Sequence, residues 1–333
     1  MFAMLLTSPA PVSTSPLQKV EMDPPIPGPD EITIRVSACG VCHTDLHTVE
    51  GDLDLPVLPI VPGHQIVGRV ERCGEGEARF EPGERVGVAW LSRTCGHCRF
   101  CLTGRENLCV EARFTGYHRN GGYGEVACAS QQYVYRLPED FDDLQAAPLL
   151  CAGIIGYRAL KLSGIKAGKR LGLYGFGASA HVTIQLARYL GLETYVFSRG
   201  EGHRELAARL GAAWTGQVPE KPPVPLDASI IFAPAGELVP AALAALDHGG
   251  TLVLGGIHMT PVPSLDYEQH LYYEKKVLTV TANTREDGEE FLELASTIPV
   301  ESRVRTYSMW DANDALIDLK QGKIDGAAVL VRE

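Results

Sequence analysis

Two kinds of hydrophobic patterning divide the chain. Up to about residue 150, apolar positions come in short β-branched alternations between turns such as Pro27-Gly28 and Pro82-Gly83. Ile32-Thr33-Ile34-Arg35-Val36, Ile66-Val67-Gly68-Arg69-Val70 and Arg85-Val86-Gly87-Val88 are the clearest, and they read as strands. Phe2 to Leu6 reads as a first strand. After Cys151 the pattern changes. The apolar run Arg170 to Tyr174 predicts a strand, Gly175 to Ala180 a tight turn, and His181 to Leu190 a helix. Thr194 to Phe197, Asp227 to Phe232 and Thr251 to Leu254 predict further strands, with helices at Arg204 to Leu210 and Leu238 to Leu246 between them. Strand and helix in turn imply a doubly wound parallel sheet. Glu286 to Ser296 and Ala312 to Leu319 read as helices that return to the first domain, and Pro219 to Pro225 as a surface loop. The expected fold is therefore α/β, with a β-rich domain over 1–151 and 285–333 and a parallel-sheet domain over 152–284.

Composition narrows the classes. A chain of 333 residues is long enough for two cores, and 45% hydrophobic with 21% charged residues is ordinary for a globular protein. A net charge of −11 argues against a nucleic-acid partner. No apolar run approaches the ~18–20 residues of a membrane helix, and Phe2 to Leu6 is too short for a signal-peptide core. Nine cysteines without a secretory signal suit a reducing compartment, so a cytoplasmic location is expected.

Four of those cysteines lie within fifteen residues: Cys95, Cys98, Cys101 and, after a seven-residue gap, Cys109. Four sulfurs with no free position describe a closed structural zinc site. Iron–sulfur runs of similar density end in a three-residue gap and Cys-Pro, whereas Val110 follows here. A second soft-ligand set comprises Cys42, His64 and Cys151. Two thiolates and an imidazole leave a fourth position open, as catalytic zinc requires. Taken singly, the cysteines read as small core residues and His64 as a loop histidine; spacing alone does not join them.

Gly175-Phe176-Gly177-Ala178-Ser179-Ala180 is a G-x-G-x-x-A form of the dinucleotide fingerprint. Gly175 makes the turn, Gly177 lets backbone approach a pyrophosphate, and Ala180 permits close helix–strand packing. The next strand ends in Phe197-Ser198-Arg199 rather than in the carboxylate that accepts from both ribose hydroxyls in NAD sites. A hydroxyl and a guanidinium suit a 2′-phosphate, so NADP(H) is expected, with NAD(H) as the alternative.

Cys39 to His47, Gly63-His64, the four-cysteine lobe and Leu150-Cys151-Ala152-Gly153 occur in this order along nearly the whole chain. In that set the protein resembles the zinc-containing alcohol dehydrogenases of the medium-chain dehydrogenase/reductase superfamily, where a Cys2His catalytic site is already known. Ala112 to Tyr117 and Gly175 to His181 look most like a bacterial group related to cinnamyl alcohol dehydrogenases. The resemblance implies a GroES-like catalytic domain carrying two Zn2+ per chain, a Rossmann cofactor domain, and hydride transfer between NADP(H) and primary alcohols or aldehydes, aliphatic or aromatic. It also implies that Thr44 touches the alcohol, that His47 is the outer base reached through the cofactor ribose, that His43 lies near the pyrophosphate, and that Asp45 orients His64. Trp90 matches an aromatic of the substrate cleft. Leu53 stands where yeast-type enzymes carry a second Trp and should open the outer channel. Gln65 replaces the Glu usual after Gly-His, a change that bears on rate and pH optimum but removes no primary ligand. A homo-oligomer, dimer or tetramer, is expected. The alternatives are a zinc-free enone or quinone reductase of the same superfamily, against which the Cys42, His64 and Cys151 set argues, and a non-catalytic metal-stabilised nucleotide-binding sensor.

Overall fold

A computed structural model describes residues 1–139, 141–298 and 300–332. The chain divides into two compact units. The first comprises Met1–Cys151, Ala282–Ser296 and Ser302–Glu333; the second comprises Ala152–Thr281 and Thr297–Glu301. The return at Ala282 precedes the expected residue 285, and a short excursion to the second unit interrupts it. Gln185 accounts for that excursion, because its amide bonds both the carbonyl and the N–H of Glu301, at 2.9 and 3.0 Å.

The first unit is built around one long strand, Glu31–Val41. The alternation at Ile32 to Val36 predicts a half-buried strand, but Ile32, Thr33 and Ile34 are all fully buried because the strand is covered on both faces. It pairs antiparallel with Gln65–Cys73, and on its other edge with Val126–Ser130 and Ala327–Val331. Arg85–Val88 and Val134–Arg136 extend the sheet on one side and Val304–Ser308 on the other. The register matters most. Cys39 faces Ile66 and Gly40 faces Gln65, so Cys42 and His64 emerge side by side from the same end of the ladder.

The second unit holds a six-stranded, all-parallel sheet in the order Trp214–Gly216, Glu193–Phe197, Arg170–Tyr174, Leu226–Ile231, Leu246–Leu254, Lys276–Thr279. This is the strand order of a dinucleotide-binding Rossmann sheet, with the reversal of direction beside Arg170–Tyr174. Tyr174 stacks on Phe197 at 4.1 Å within its core. Helix Ala178–Tyr189 begins three residues earlier than the apolar pattern indicates, which confines the glycine turn to Gly175–Gly177. The strands Lys276–Thr279, Val304–Ser308 and Ala327–Val331 and the helical stretch from Asp143 to Ser163 have no counterpart in the elements expected from the pattern.

Candidate functional site

The residues after Cys42, to which the apolar pattern assigns no element, form a capped helix, His43–Glu50. Cys42 is its N-cap, with extended backbone at φ −139° and ψ −179°. The Cys42 sulfur accepts from the Thr44 N–H at 3.3 Å, and the Asp45 carboxylate accepts from the Cys42 N–H at 3.0 Å. The cap thus fixes sulfur and carboxylate together.

His64 follows Gly63, whose φ of +94° puts it in the left-handed region. A Cβ on Gly63 would also fall 2.3 Å from the Tyr123 ring, so only glycine suits the position. The Asp45 Oδ1 accepts from the Gly63 N–H at 3.2 Å and lies 3.1 Å from His64 Nδ1. His64 Nε2 is thereby turned toward the Cys42 sulfur, 3.5 Å away. Cys151 arrives from a π-helical turn, Leu149–Gly153, between helices Asp143–Pro148 and Ile154–Ser163. Such widened turns commonly occur at functional sites. Its sulfur stands 4.0 Å from that of Cys42, too far for a disulfide.

The donor set fits a metal. For tetrahedral zinc, ordinary bond lengths imply sulfur–nitrogen separations of about 3.6 Å and sulfur–sulfur separations of about 3.8 Å. The electrostatics agree. A hydrogen bond shared with Cys151, together with burial, pushes the Cys42 thiol well above its ordinary pKa, so a thiolate there needs a cation. Burial opposes a charge on His64, but Asp45 and Cys42 outweigh it and push the ring up to about 10. That same negative field would favour a metal ion at Nε2.

The four-cysteine lobe forms a separate, tighter group. Cys95–Cys101, Cys98–Cys101 and Cys95–Cys109 sulfurs are 3.9, 3.6 and 3.6 Å apart, and all four lie within 4.8 Å of one another. Backbone N–H groups of Cys98 and Cys95 point at the sulfurs of Cys95 and Cys109. Backbone hydrogen bonding lowers the Cys98 thiol to about 7, and burial pushes Cys109 up to about 11. The lobe matches a closed tetrahedral site.

Around the three-ligand group, Thr44 and His47 are buried on the capped helix, while His43 is exposed, its ring 6.3 Å from that of His47. The Trp90 ring lies 6.3 Å from His64 and stacks on Phe114 at 4.1 Å. Leu53 is half-buried in the following loop, whose Asp54 carbonyl accepts from the Tyr117 hydroxyl at 2.6 Å. Gln65 is buried, its Nε2 has no partner, and its amide packs on Gly40. Two residues escape a reading by spacing. Asp52 lies 2.8 Å from His47 Nδ1, and Tyr117 ties the Asp54 loop to the aromatic wall. A carboxylate just after the Gly51 helix stop was the available signal for the first.

In the second unit, Gly175 has φ +84°, and Gly177 caps helix Ala178–Tyr189 without a side-chain bond. Nothing lies within 4 Å of where a Gly177 Cβ would stand, so the approach to the open N–H groups of this helix is clear. Ala180 is fully buried. Ser198 is buried with its hydroxyl 3.4 Å from His203 Nδ1; Arg199 is exposed, and Arg204 donates to the carbonyls of both residues at 2.8 Å. No carboxylate occupies the strand end itself: Glu193 opens the strand and Glu201 starts the next helix. Among the described residues, no helix is long and apolar enough to cross a membrane.

Residues 28–139 match the alcohol dehydrogenase GroES-like domain, and residues 180–297 match the zinc-binding dehydrogenase family. A probable alcohol dehydrogenase of Mycobacterium tuberculosis, AdhA, is 47% identical over 99% of this chain and 97% of its own. An alcohol dehydrogenase of Geobacillus stearothermophilus is 35% identical over 95% and 96%. Among solved structures, a cinnamyl alcohol dehydrogenase of Sorghum bicolor superposes with a TM-score of 0.90 at 29% identity, covering 99% of this chain and 97% of its own. With its GroES-like and Rossmann units and near full-length identity to these enzymes, the chain belongs to the zinc-binding alcohol dehydrogenases of the medium-chain dehydrogenase/reductase superfamily.

Proposed function

We propose that the protein is a zinc-dependent alcohol dehydrogenase and aldehyde reductase that holds two Zn2+ per chain and exchanges hydride between NADP(H) and primary alcohols or aldehydes. The observation that carries this reading is the Cys42, His64 and Cys151 group, one ligand short of the closed four-cysteine group elsewhere in the same unit. Zinc bound there would acidify an alcohol or polarise a carbonyl, and a nicotinamide would supply or accept the hydride.

The chain's own residues do the rest. Asp45 accepts the Nδ1–H of His64 and so keeps Nε2 free as a ligand, which also aligns the ring. The Thr44 hydroxyl receives the alcohol's proton, and His47 holds it on Nε2 before it passes to water. His43, exposed on the same helix, offers a ring N–H donor to the pyrophosphate. Trp90, backed by Phe114, narrows the space beside His64 and favours primary over bulky secondary substrates, while Leu53 leaves the outer approach open to longer or aromatic chains. Gly175, Gly177 and Ala180 make room for the pyrophosphate at the helix N-terminus, and Ser198 with Arg199 holds the 2′-phosphate.

The edge strand Lys276–Thr279, all four of whose residues are exposed, Val277 and Leu278 among them, supports a homo-oligomer, either dimer or tetramer. Its nine free cysteines suit a reducing, cytoplasmic setting. The test is metal analysis combined with turnover of a panel of alcohols and aldehydes with NADPH and NADH. Two zinc ions per chain and faster turnover with NADPH are expected. A fully active enzyme whose zinc sits in the four-cysteine group alone, with the Cys42, His64 and Cys151 group empty, would overturn the assignment of the three-ligand site.

A further inference from the structure

We infer that Cys95, His97 and Glu111 form an outer metal site, sharing Cys95 with the closed four-cysteine group, through which Zn2+ enters and leaves that group. The inference rests on the reading of the four cysteines as a zinc site.

A closed group is slow to exchange its ion. Four sulfurs fill every position of a tetrahedral ion, so no further ligand can join before one leaves. Cys109 is buried and Cys95, Cys98 and Cys101 are half-buried, whereas His97 and Glu111 are exposed. The ligand atoms of Cys95, His97 and Glu111 lie within 4.8 Å of one another. His97 comes to Cys95 through Gly96, which turns the chain in the left-handed region at φ +75°. Glu111 stands two residues after Cys109, whose sulfur is 3.6 Å from that of Cys95.

The His97 ring is already held as a ligand would be. The Cys95 carbonyl lies 2.9 Å from Nδ1 and can only accept, so Nδ1 carries the hydrogen and Nε2 keeps its lone pair. A ring whose other N–H is bonded to a backbone carbonyl is the usual arrangement of a metal-binding histidine. The Glu111 carboxylate has no ion-pair or hydrogen-bond partner among the described residues. The Cys95 sulfur keeps lone pairs after binding one ion, so it can serve both groups. Imidazole, carboxylate and thiolate together suit Zn2+ and disfavour Mg2+ and Ca2+, which take oxygen ligands. On loading, His97 Nε2, a Glu111 oxygen and the Cys95 sulfur replace waters of the hydrated ion. The sulfurs of Cys98, Cys101 and Cys109 then displace His97 and Glu111, and each thiol that binds gives its proton to water. The metal keeps its oxidation state throughout, and release is the same exchange reversed.

The experiment exposes zinc-loaded wild type, His97→Ala, Glu111→Gln and the double variant to isotopically enriched Zn2+, and follows the isotope content by native mass spectrometry. Two exchange phases are expected. The phase that Cys151→Ala removes belongs to the three-ligand group and serves as the internal control. In His97→Ala and Glu111→Gln the other phase should slow on the order of 10-fold, and further in the double variant. Zinc content, Tm and the control phase should stay as in wild type. A four-cysteine phase equally fast or faster in the double variant would overturn the proposal. Loss of zinc and Tm in either single variant would also overturn it, since the residue would then support the closed group itself. A Cys151→Ala protein that holds no zinc would instead sink the zinc reading of the four cysteines, and the outer site with it.

Discussion

Glu106 and Arg285, 179 residues apart in the chain, share four hydrogen bonds. The Arg285 backbone N–H and Nε reach Oε1 at 2.8 and 2.9 Å, while Nε and Nη2 reach Oε2 at 3.1 and 2.7 Å. Glu106 lies between Cys101 and Cys109, and Arg285 opens the helix by which the chain returns to the first unit. The pair therefore ties the four-cysteine lobe to the returning segment. The Arg285 guanidinium also lies 5.0 Å from the Tyr133 ring centre.

Burial raises the pKa of the Glu106 carboxyl, but the bonds and charge of Arg285 outweigh it and hold the group below the usual glutamate range. A carboxyl lowered in the folded state contributes stability above its unfolded pKa and loses it as pH falls through the folded one. Glu106→Gln should cost about 1–3 kcal/mol at pH 7, toward the lower end because Arg285 is partly solvated. The unfolding curves of the two proteins should begin to converge below about pH 4.3 and meet only once the pH has fallen below the still lower folded pKa of Glu106. Denaturation across this range checks it, and curves that stay parallel would show that the pair contributes nothing.

The two metal groups should fail differently. Cys151→Ala removes a ligand from the three-residue group and should abolish turnover while leaving one zinc and a near-normal Tm. Cys98→Ala should lower Tm and solubility, because a structural metal contributes folding free energy directly. Zinc content and thermal unfolding of both variants decide the matter; near-normal turnover in Cys151→Ala would remove Cys151 from the site.

Arg199→Ala should weaken NADPH binding by roughly 1.5–3 kcal/mol, the contribution of a hydrogen bond to a charged group, and leave NADH nearly unchanged. Fluorescence titration with both cofactors measures this. Equal losses would show that Arg199 is only a solvated turn residue.

Gly63→Ala should displace His64 without touching a ligand. The substitution combines a left-handed backbone with a Cβ driven into Tyr123, a strain of about 1–3 kcal/mol for the backbone before any clash is relieved. The expected result is a folded protein that retains the four-cysteine zinc and loses the other. Retention of both ions would mean that the loop relaxes freely.

Much was legible from order and period alone. Alternation marked the strands around residues 32, 66 and 85, and strand–helix alternation marked the parallel sheet, because a period of two or of 3.6 is imposed by local geometry. The four-cysteine lobe was legible because its ligands are local. Helix His43–Glu50 was not, since its polar residues belong to a cap and a site rather than to a simple amphipathic face. The strands Lys276–Thr279 and Ala327–Val331 were missed because each is short and its place depends on a distant partner.

Sequence by itself determined which side chains were available: three soft ligands, a glycine turn, and a strand end without a carboxylate. Tertiary structure decided what they do together. Cys42 and His64 meet because Gly40 pairs with Gln65 in an antiparallel ladder, and Cys151 joins them through a widened helical turn. Asp52 reaches His47 because a left-handed glycine reverses the chain. Each of these contacts depends on register and on chain reversal, which are set by packing across the fold and leave only faint traces in the order of residues.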